Sequence, residues 1–330
     1  MGNIRPLISI CVPIYGAEKY IERCATTLFE QTYDNIEYIF VNDCTKDNSI
    51  QILKQIISKH TRLQSLIRII EHDRNRGLAA ARNTAIENCN GDFILHVDSD
   101  DYIEINTVEL LVKKQQENNA DIISFGMYMH KSTKTVIINP PYFSSAKEMA
   151  VCLIARKVGI NLWGKMIRRS LYKENDIRAE EGVNMGEDYS VTPRLAYYSK
   201  KVDIVNKPLY HYDWTNINSY SHNFSLQNAR QTWMAFEIIE REFVNKGEQY
   251  TKALDIAKID IITNQIIACC NDKRYIEYFA SLKEKLRGIN KKLWKTVESK
   301  RRVVLYLKNR RLISIYVYIA TFVKNILYRA

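Results

Sequence analysis

Residues 93–101 read FILHVDSDD, an apolar run that ends in Asp98, Asp100 and Asp101, three carboxylates within four positions. Like charges at the end of a buried strand are costly unless something compensates them. In D-x-D at a strand end alternate side chains share one side, so Asp98 and Asp100 can face a common ligand. Mg²⁺ or Mn²⁺ is the obvious compensator, because such a cation takes one or two carboxylates plus phosphate oxygens and waters. The plainer alternative is a solvated turn that caps the next helix. Asp43 follows a second apolar run, IEYIFVN, where an acid can accept hydrogen bonds from a base N–H or a ribose hydroxyl. Tyr15, at the end of LISICVPIY, offers a flat face for stacking a base. In HDRNRGLAAARN, residues 72–83, one glycine precedes a small-residue helix, with Arg74, Arg76 and Arg82 around its start. A helix N-terminus with arginines suits diphosphate oxygens. Farther on, GEDY at 186–189 sets Glu187 beside Asp188, which by itself reads as a glycine-led helix start.

These groups need a frame, and the first 130 residues supply one. Strand patterns at Leu7–Tyr15, Ile36–Asn42, Leu66–Glu71 and Asp92–Val97 alternate with helical patterns at Ala17–Gln31, Asp47–His60 and Leu78–Asn88. That order predicts an α/β, Rossmann-like, mainly parallel sheet flanked by helices, with ligands beyond the carboxyl ends of its strands. Asp43 and the DSDD run both fall at such ends. Asp121–His130 reads as a further strand, Ala146–Arg156 as a helix, and 160–225 as irregular and aromatic-rich. From Ser225 onward the pattern is helical.

Taken together, PIYGAEKYIERCATTLFEQTY, FVNDCTKDNS, NRGLAAARN, GDFILHVDSDD and WGKMIRRSLY…MGEDY resemble the inverting glycosyltransferases of family 2, which have the GT-A fold. A lone D-x-D is weak, but five blocks in order over roughly residues 7–200 are specific. The resemblance implies that Pro13 and Tyr15 line a nucleobase and that Asp43 recognises uracil. It places Arg76 and Arg82 near base and diphosphate, and Asp98 on ribose or donor sugar. Asp100 would hold the metal, and Asp188, preceded by Glu187, would be the catalytic base. One departure is YHYDW, which sets Asp213 where the family often has an arginine. Trp163, Lys165 and Trp214 are candidates for an acceptor groove, with a core role an equal alternative for Trp163, and His211 or His222 are candidates for a further metal ligand. The implied reaction moves a sugar, hexosyl or N-acetylhexosaminyl, from a UDP-sugar to a saccharide or lipid-linked saccharide hydroxyl in surface polysaccharide synthesis. The alternatives are a nucleotidyltransferase, which would want a Gly-rich basic loop after the first strand, and a catalytically inactive nucleotide-sugar-binding module.

Composition is ordinary for a globular protein, at 46% hydrophobic and 26% charged. The net charge of +11 is concentrated: residues 291–330 hold eleven Lys or Arg and a single acid, Glu298. The expected layout is therefore a catalytic domain over 1–225, with a nucleotide-sugar half (1–101) and an acceptor half (102–225). A helical region over 226–330 follows, ending in the basic tail 291–330. The charge-free run at 312–323 is too short to span a bilayer of about 20 residues, and basic flanks suit an anionic membrane surface, the alternative being a buried terminal helix with a solvated basic face. Nothing in the pattern fits a nucleic-acid partner. Seven cysteines with no zinc spacing, and no signal-peptide pattern, lead to the expectation of a reduced, cytoplasmic protein, peripheral at the inner membrane face.

Overall fold

The computed structural model describes residues 5–215, 224–307 and 309–327 of the chain. The chain forms two compact units, Met1–Ala150 with Val158–His222, and Val151–Lys157 with Asn223–Ala330.

The first unit opens with β1 (Ile8–Ile14), α1 (Ile21–Phe29), β2 (Ile36–Asn42), α2 (Ser49–Lys59), β3 (Ile67–Glu71), α3 (Leu78–Asn88) and β4 (Phe93–His96). Every residue of β1, β2 and β4 is buried, as continuous apolar runs in a doubly covered sheet require. Ile21, Cys24, Ala25, Leu28 and Phe29 turn one face of α1 inward at helical spacing. The helix α3 packs on β1 and β2, and its buried Ala79–Ala81 let the backbone approach the sheet closely.

Next come β5 (Tyr102–Ile103), α4 (Thr107–Asn118), β6 (Ile122–His130), β7 (Thr135–Ile138), α5 (Ala146–Ile154), β8 (Lys165–Arg168), α6 (Arg169–Glu174), α7 (Glu187–Tyr198) and β9 (Val202–Asp213). One sheet takes all nine strands of the described residues in the order β3-β2-β1-β4-β8-β6-β9-β5, with β7 on β6. The expected parallel arrangement holds across β3-β2-β1-β4 and again between β6 and β9. The inserted strands β8, β5 and β7 run antiparallel to their neighbours. The expectation that 160–225 is irregular is corrected over its described part, which holds β8, α6, α7 and the twelve-residue β9. Pro208 disguises β9 in the sequence. It sits opposite Gly126, where the β6–β9 register shifts, the kind of irregularity at which a strand tolerates proline.

The second unit contains α8 (Leu226–Phe243), α9 (Glu248–Cys269), α10 (Ile276–Lys285), α11 (Ser299–Tyr306) and α12 (Arg310–Leu327). The long α9 is its axis. It contacts α8, α10, α11 and α12, and its residues Ile256, Ile259, Ile261, Ile262, Ile266 and Cys269 are buried on more than one face. No helix among the described residues is long and apolar enough to cross a membrane.

Candidate functional site

A groove of about 460 Å³ opens beyond the carboxyl ends of β1, β2 and β4. Its walls include Pro13 and Tyr15 after β1, Asp43 after β2, Gly77, Leu78 and Ala81 at the start of α3, and Asp98, Ser99 and Asp100 after β4. Register explains the convergence: Ile14 pairs with Asn42 and Cys11 with His96, so three parallel strands end at one rim. Five of the residues singled out in the sequence, Pro13, Tyr15, Asp43, Asp98 and Asp100, therefore share one cavity. The Tyr15 ring is 53% exposed, so its face is available to a ligand.

Asp43 is fixed before any ligand arrives. Its Oδ1 accepts from the Arg76 backbone N–H (2.8 Å) and its Oδ2 from that of Gly77 (2.7 Å). His72 Nδ1 lies 2.7 Å from Oδ1, while His72 Nε2 meets the Thr84 hydroxyl at 2.9 Å. Gly77 is required here: its φ is +90°, and a Cβ would collide with the Asn184 side chain. Asn184 Oδ1 in turn accepts from the Ala79 N–H in the first turn of α3. His72 and Asn184 were missed by sequence reasoning. His72 stood in the quoted HDRNRG block, whereas nothing in the chain around Asn184 marks it.

The arginines depart from expectation. Arg76 sends its side chain to Glu181 (2.6 Å) and is not a wall of the groove. Arg82 is 1% exposed, too deep for direct contact with a nucleotide. It lies below the rim, with Nη2 at 3.0 Å from Asp98 Oδ1 and 3.8 Å from Asp188 Oδ1, and Nε at 3.7 Å from Glu187 Oε1. The DSDD and GED segments, ninety residues apart in the chain, are thus joined through one buried guanidinium. Burial works against the Arg82 charge, but Asp98, Asp188 and Glu187 together hold it charged. Arg82 Nε and Nη1, Asp98 Oδ1 and Asp188 Oδ1 are all buried, and none makes a hydrogen bond among the described residues. Polar atoms left this way are rare in folded proteins and mark working sites or places a ligand or water completes.

Gly186, with φ +101°, starts α7, and Glu187 and Asp188 occupy its first turn. The helix-start and acid–base readings of GEDY are therefore compatible. Burial, and next the Asp188 charge, push the Glu187 carboxyl up to about 8. Burial also raises Asp188, opposed by Arg82, Lys165 and a backbone hydrogen bond from Leu162. Burial therefore raises both adjacent carboxyls, with the Arg82 charge opposing the rise at each.

Asp101 turns away from the groove. Its Oδ2 accepts from the Tyr210 hydroxyl (2.8 Å) and its Oδ1 from the Asp213 N–H (2.9 Å), while the Asp98 N–H donates to Tyr210 Oη (3.1 Å). Burial, and then Asp100 and Asp98, raise its carboxyl well above the ordinary range. It braces the loop against β9. Asp213, where the family often has arginine, is 3.4 Å from Arg23 of α1. Arg23 Nη2 also donates to the Asp100 carbonyl (3.3 Å) and its guanidinium lies 4.3 Å from the Tyr102 ring centre.

The acceptor candidates separate. Trp163 is a core residue, 7% exposed and stacked on Tyr210 (4.6 Å) and Tyr212 (5.3 Å), the core alternative of the two the sequence left open. Lys165 is also buried, donating Nζ to the carbonyls of Asn161 (2.5 Å) and Gly159 (3.3 Å). Burial lowers its ammonium to about 8, with Asp188 pulling the other way. Trp214 is 41% exposed and remains reachable. His211 is engaged by His130 Nε2 (2.9 Å) and Glu104 Oε1 (2.9 Å), and His222 lies outside the described residues. Among the described residues no three His, Cys, Asp or Glu side chains form a ready-made metal cage. Asp100 on the groove wall is still a fitting donor for Mg²⁺ or Mn²⁺, which commonly binds through one or two carboxylates and completes its shell with substrate phosphates.

Comparison with known proteins agrees with this geometry. Residues 9–175 match the model of the family described as glycosyl transferase family 2. Glycosyltransferase GlyA of Streptococcus pneumoniae serotype 4 is 32% identical over 62% of this chain, although the chain spans only 30% of GlyA's length. Glycosyltransferase GlyG of the same organism is 26% identical over 76% of this chain and 89% of its own. Among solved structures, S. aureus TarS 1-349 in complex with UDP-GlcNAc superposes with a TM-score of 0.70 at 20% identity, covering 94% of this chain and 89% of that one. The fold is accordingly GT-A with a helical C-terminal region, and the chain belongs to glycosyltransferase family 2.

Proposed function

We propose that the protein transfers a hexosyl or N-acetylhexosaminyl group, with inversion, from a UDP-sugar to a hydroxyl of a saccharide or lipid-linked saccharide in surface polysaccharide synthesis. The observation that carries this reading is Arg82 Nη2 set between Asp98 on the groove wall and Asp188 at the start of α7. It puts a donor-side acid and a base candidate around one point. Tyr15 stacks the base and Asp43 receives its N–H on the lone pairs that the loop leaves open. Asp98 accepts a hydroxyl of ribose or sugar. Asp188, whose carboxylate form Arg82 and Lys165 favour against burial, takes the proton of the acceptor hydroxyl as that oxygen attacks the anomeric carbon. The sugar–phosphate bond breaks in the same displacement, and the diphosphate departs with the bonding electrons. Mg²⁺ or Mn²⁺, held by Asp100, would supply neutralisation of the diphosphate's growing charge. Trp214 is the exposed aromatic proposed for the acceptor side. The setting proposed is cytoplasmic, with the basic tail 291–330 on the inner face of the membrane. In support, the UDP-GlcNAc complex of TarS is of the same fold.

A panel of nucleotide sugars assayed for binding and turnover with and without Mg²⁺ or Mn²⁺ tests the reading. UDP-sugar turnover with the anomeric configuration inverted, and loss of metal-dependent binding in Asp100→Ala, are expected. Release of pyrophosphate instead of UDP would assign a nucleotidyltransferase. Binding without turnover across acceptors would leave an inactive binding module.

A further inference from the structure

The helix α12 is apolar on two sides. One side is packed: Ile313 is fully buried and Tyr316 and Val317 sit against the cluster of Ile259, Ile262, Ile266 and Trp294. Ser314 Oγ on that side donates to the Cys270 carbonyl (2.8 Å). The opposite side carries Leu312, Ile315, Tyr318 and Ile319, which are 51%, 56%, 69% and 53% exposed. Positions 312, 315 and 319 follow the three–four spacing of one helical stripe, and Arg311 and Tyr318 flank it. Four large apolar side chains in a row on one exposed face mark an interaction surface rather than scattered surface hydrophobics.

Charge selects the occupant. The stripe lies within residues 291–330, whose eleven cations face a single acid, and Lys291, Lys292, Lys295 and Arg311 are exposed. A second copy docked face to face would bring two such tails together, with like charges opposed. An anionic bilayer complements both features, since it receives apolar side chains and attracts Lys and Arg. The half-buried tyrosines common at bilayer interfaces have counterparts in Tyr318 and, on α11, Tyr306, which is 61% exposed. We infer that α12 lies in the plane of an anionic membrane surface, inserting Leu312, Ile315, Tyr318 and Ile319 while Arg311 beside them and the other cations of the tail meet lipid phosphates. This deepens the proposed membrane partner by naming the face, and it stands or falls apart from the transfer reaction because its test contains no sugar donor.

The full chain is mixed with vesicles of phosphatidylcholine alone or with about one-third phosphatidylglycerol, and bound protein is measured by co-sedimentation. Binding to the anionic vesicles at least about tenfold tighter than to the neutral ones, reduced about tenfold by Ile315→Glu with Ile319→Glu, is the expected result. Arg311→Glu should weaken anionic binding severalfold while leaving the melting temperature unchanged. Retained binding in the Glu variants, or no preference for the anionic vesicles, overturns the inference. So does a dimer in light scattering that the same substitutions abolish, which would give the face to a second copy.

Discussion

Arg82 concentrates most of the site's electrostatic risk. One buried cation balances Asp98, Glu187 and Asp188, and removing one partner of a buried charge set leaves the others desolvated and unpaired. Arg82→Leu is expected to destabilise the first unit by about 3–5 kcal/mol, read by equilibrium denaturation, and to abolish transfer. Asp188→Asn is a gentler change, because the amide keeps the shape and the neighbours. It is expected to bind UDP as the native protein does and to lose about 10²–10⁴ in kcat; unchanged turnover would remove Asp188 as the base. The acids of the site were visible in the sequence because their types and positions at strand ends carry information. The burial of Arg82 was not, since an arginine near a helix start reads equally as a surface phosphate ligand. Trp163 stays undecided in the sequence for the related reason that an aromatic ring suits a sugar and a core alike; only the rings of Tyr210 and Tyr212 beside it decide.

The elements that carry the site differ in how openly they announce themselves. β1, β2 and β4 are apolar runs closed by turn chemistry, and α1 and α2 show helical spacing, so this half of the sheet could be read to within a few residues. The second half could not. β8 has four residues, α6 six, and β9 is mostly half-exposed and contains Pro208, so no period survives long enough to be counted. The loop between β3 and α3 shows how local backbone serves the rim. Its Gly77 places two consecutive N–H groups on Asp43 while leaving room for Asn184. Gly77→Ala is expected to cost about 1–3 kcal/mol through the unfavourable φ and the collision. Isothermal titration should show a matching loss of UDP affinity, because Asp43 would lose its backbone partners.

For the molecule as a whole, the raised Glu187 carboxyl ties stability to pH. With an ordinary value of 4.5 and a folded value of about 8, the native state binds the extra proton between those limits. The stability that Glu187 contributes is therefore fully present below about pH 4.5 and lost as pH rises through about 8. Glu187→Gln, a permanent mimic of the protonated acid, should flatten the fall in melting temperature over that window; an identical slope in the variant would show that other groups set it. The proposed division into a nucleotide-sugar half (1–101) and an acceptor half (102–225) also has a limit built into its bonding. Asp101 in the loop after β4 is held by the Tyr210 hydroxyl and the Asp213 N–H, more than a hundred residues later on β9. A chimera that exchanges the later half for one from another member, to alter the proposed acceptor, would sever that brace unless the transplant carries a tyrosine at 210 in the same register. Specificity can be traded between relatives here only in pieces that keep that one hydroxyl.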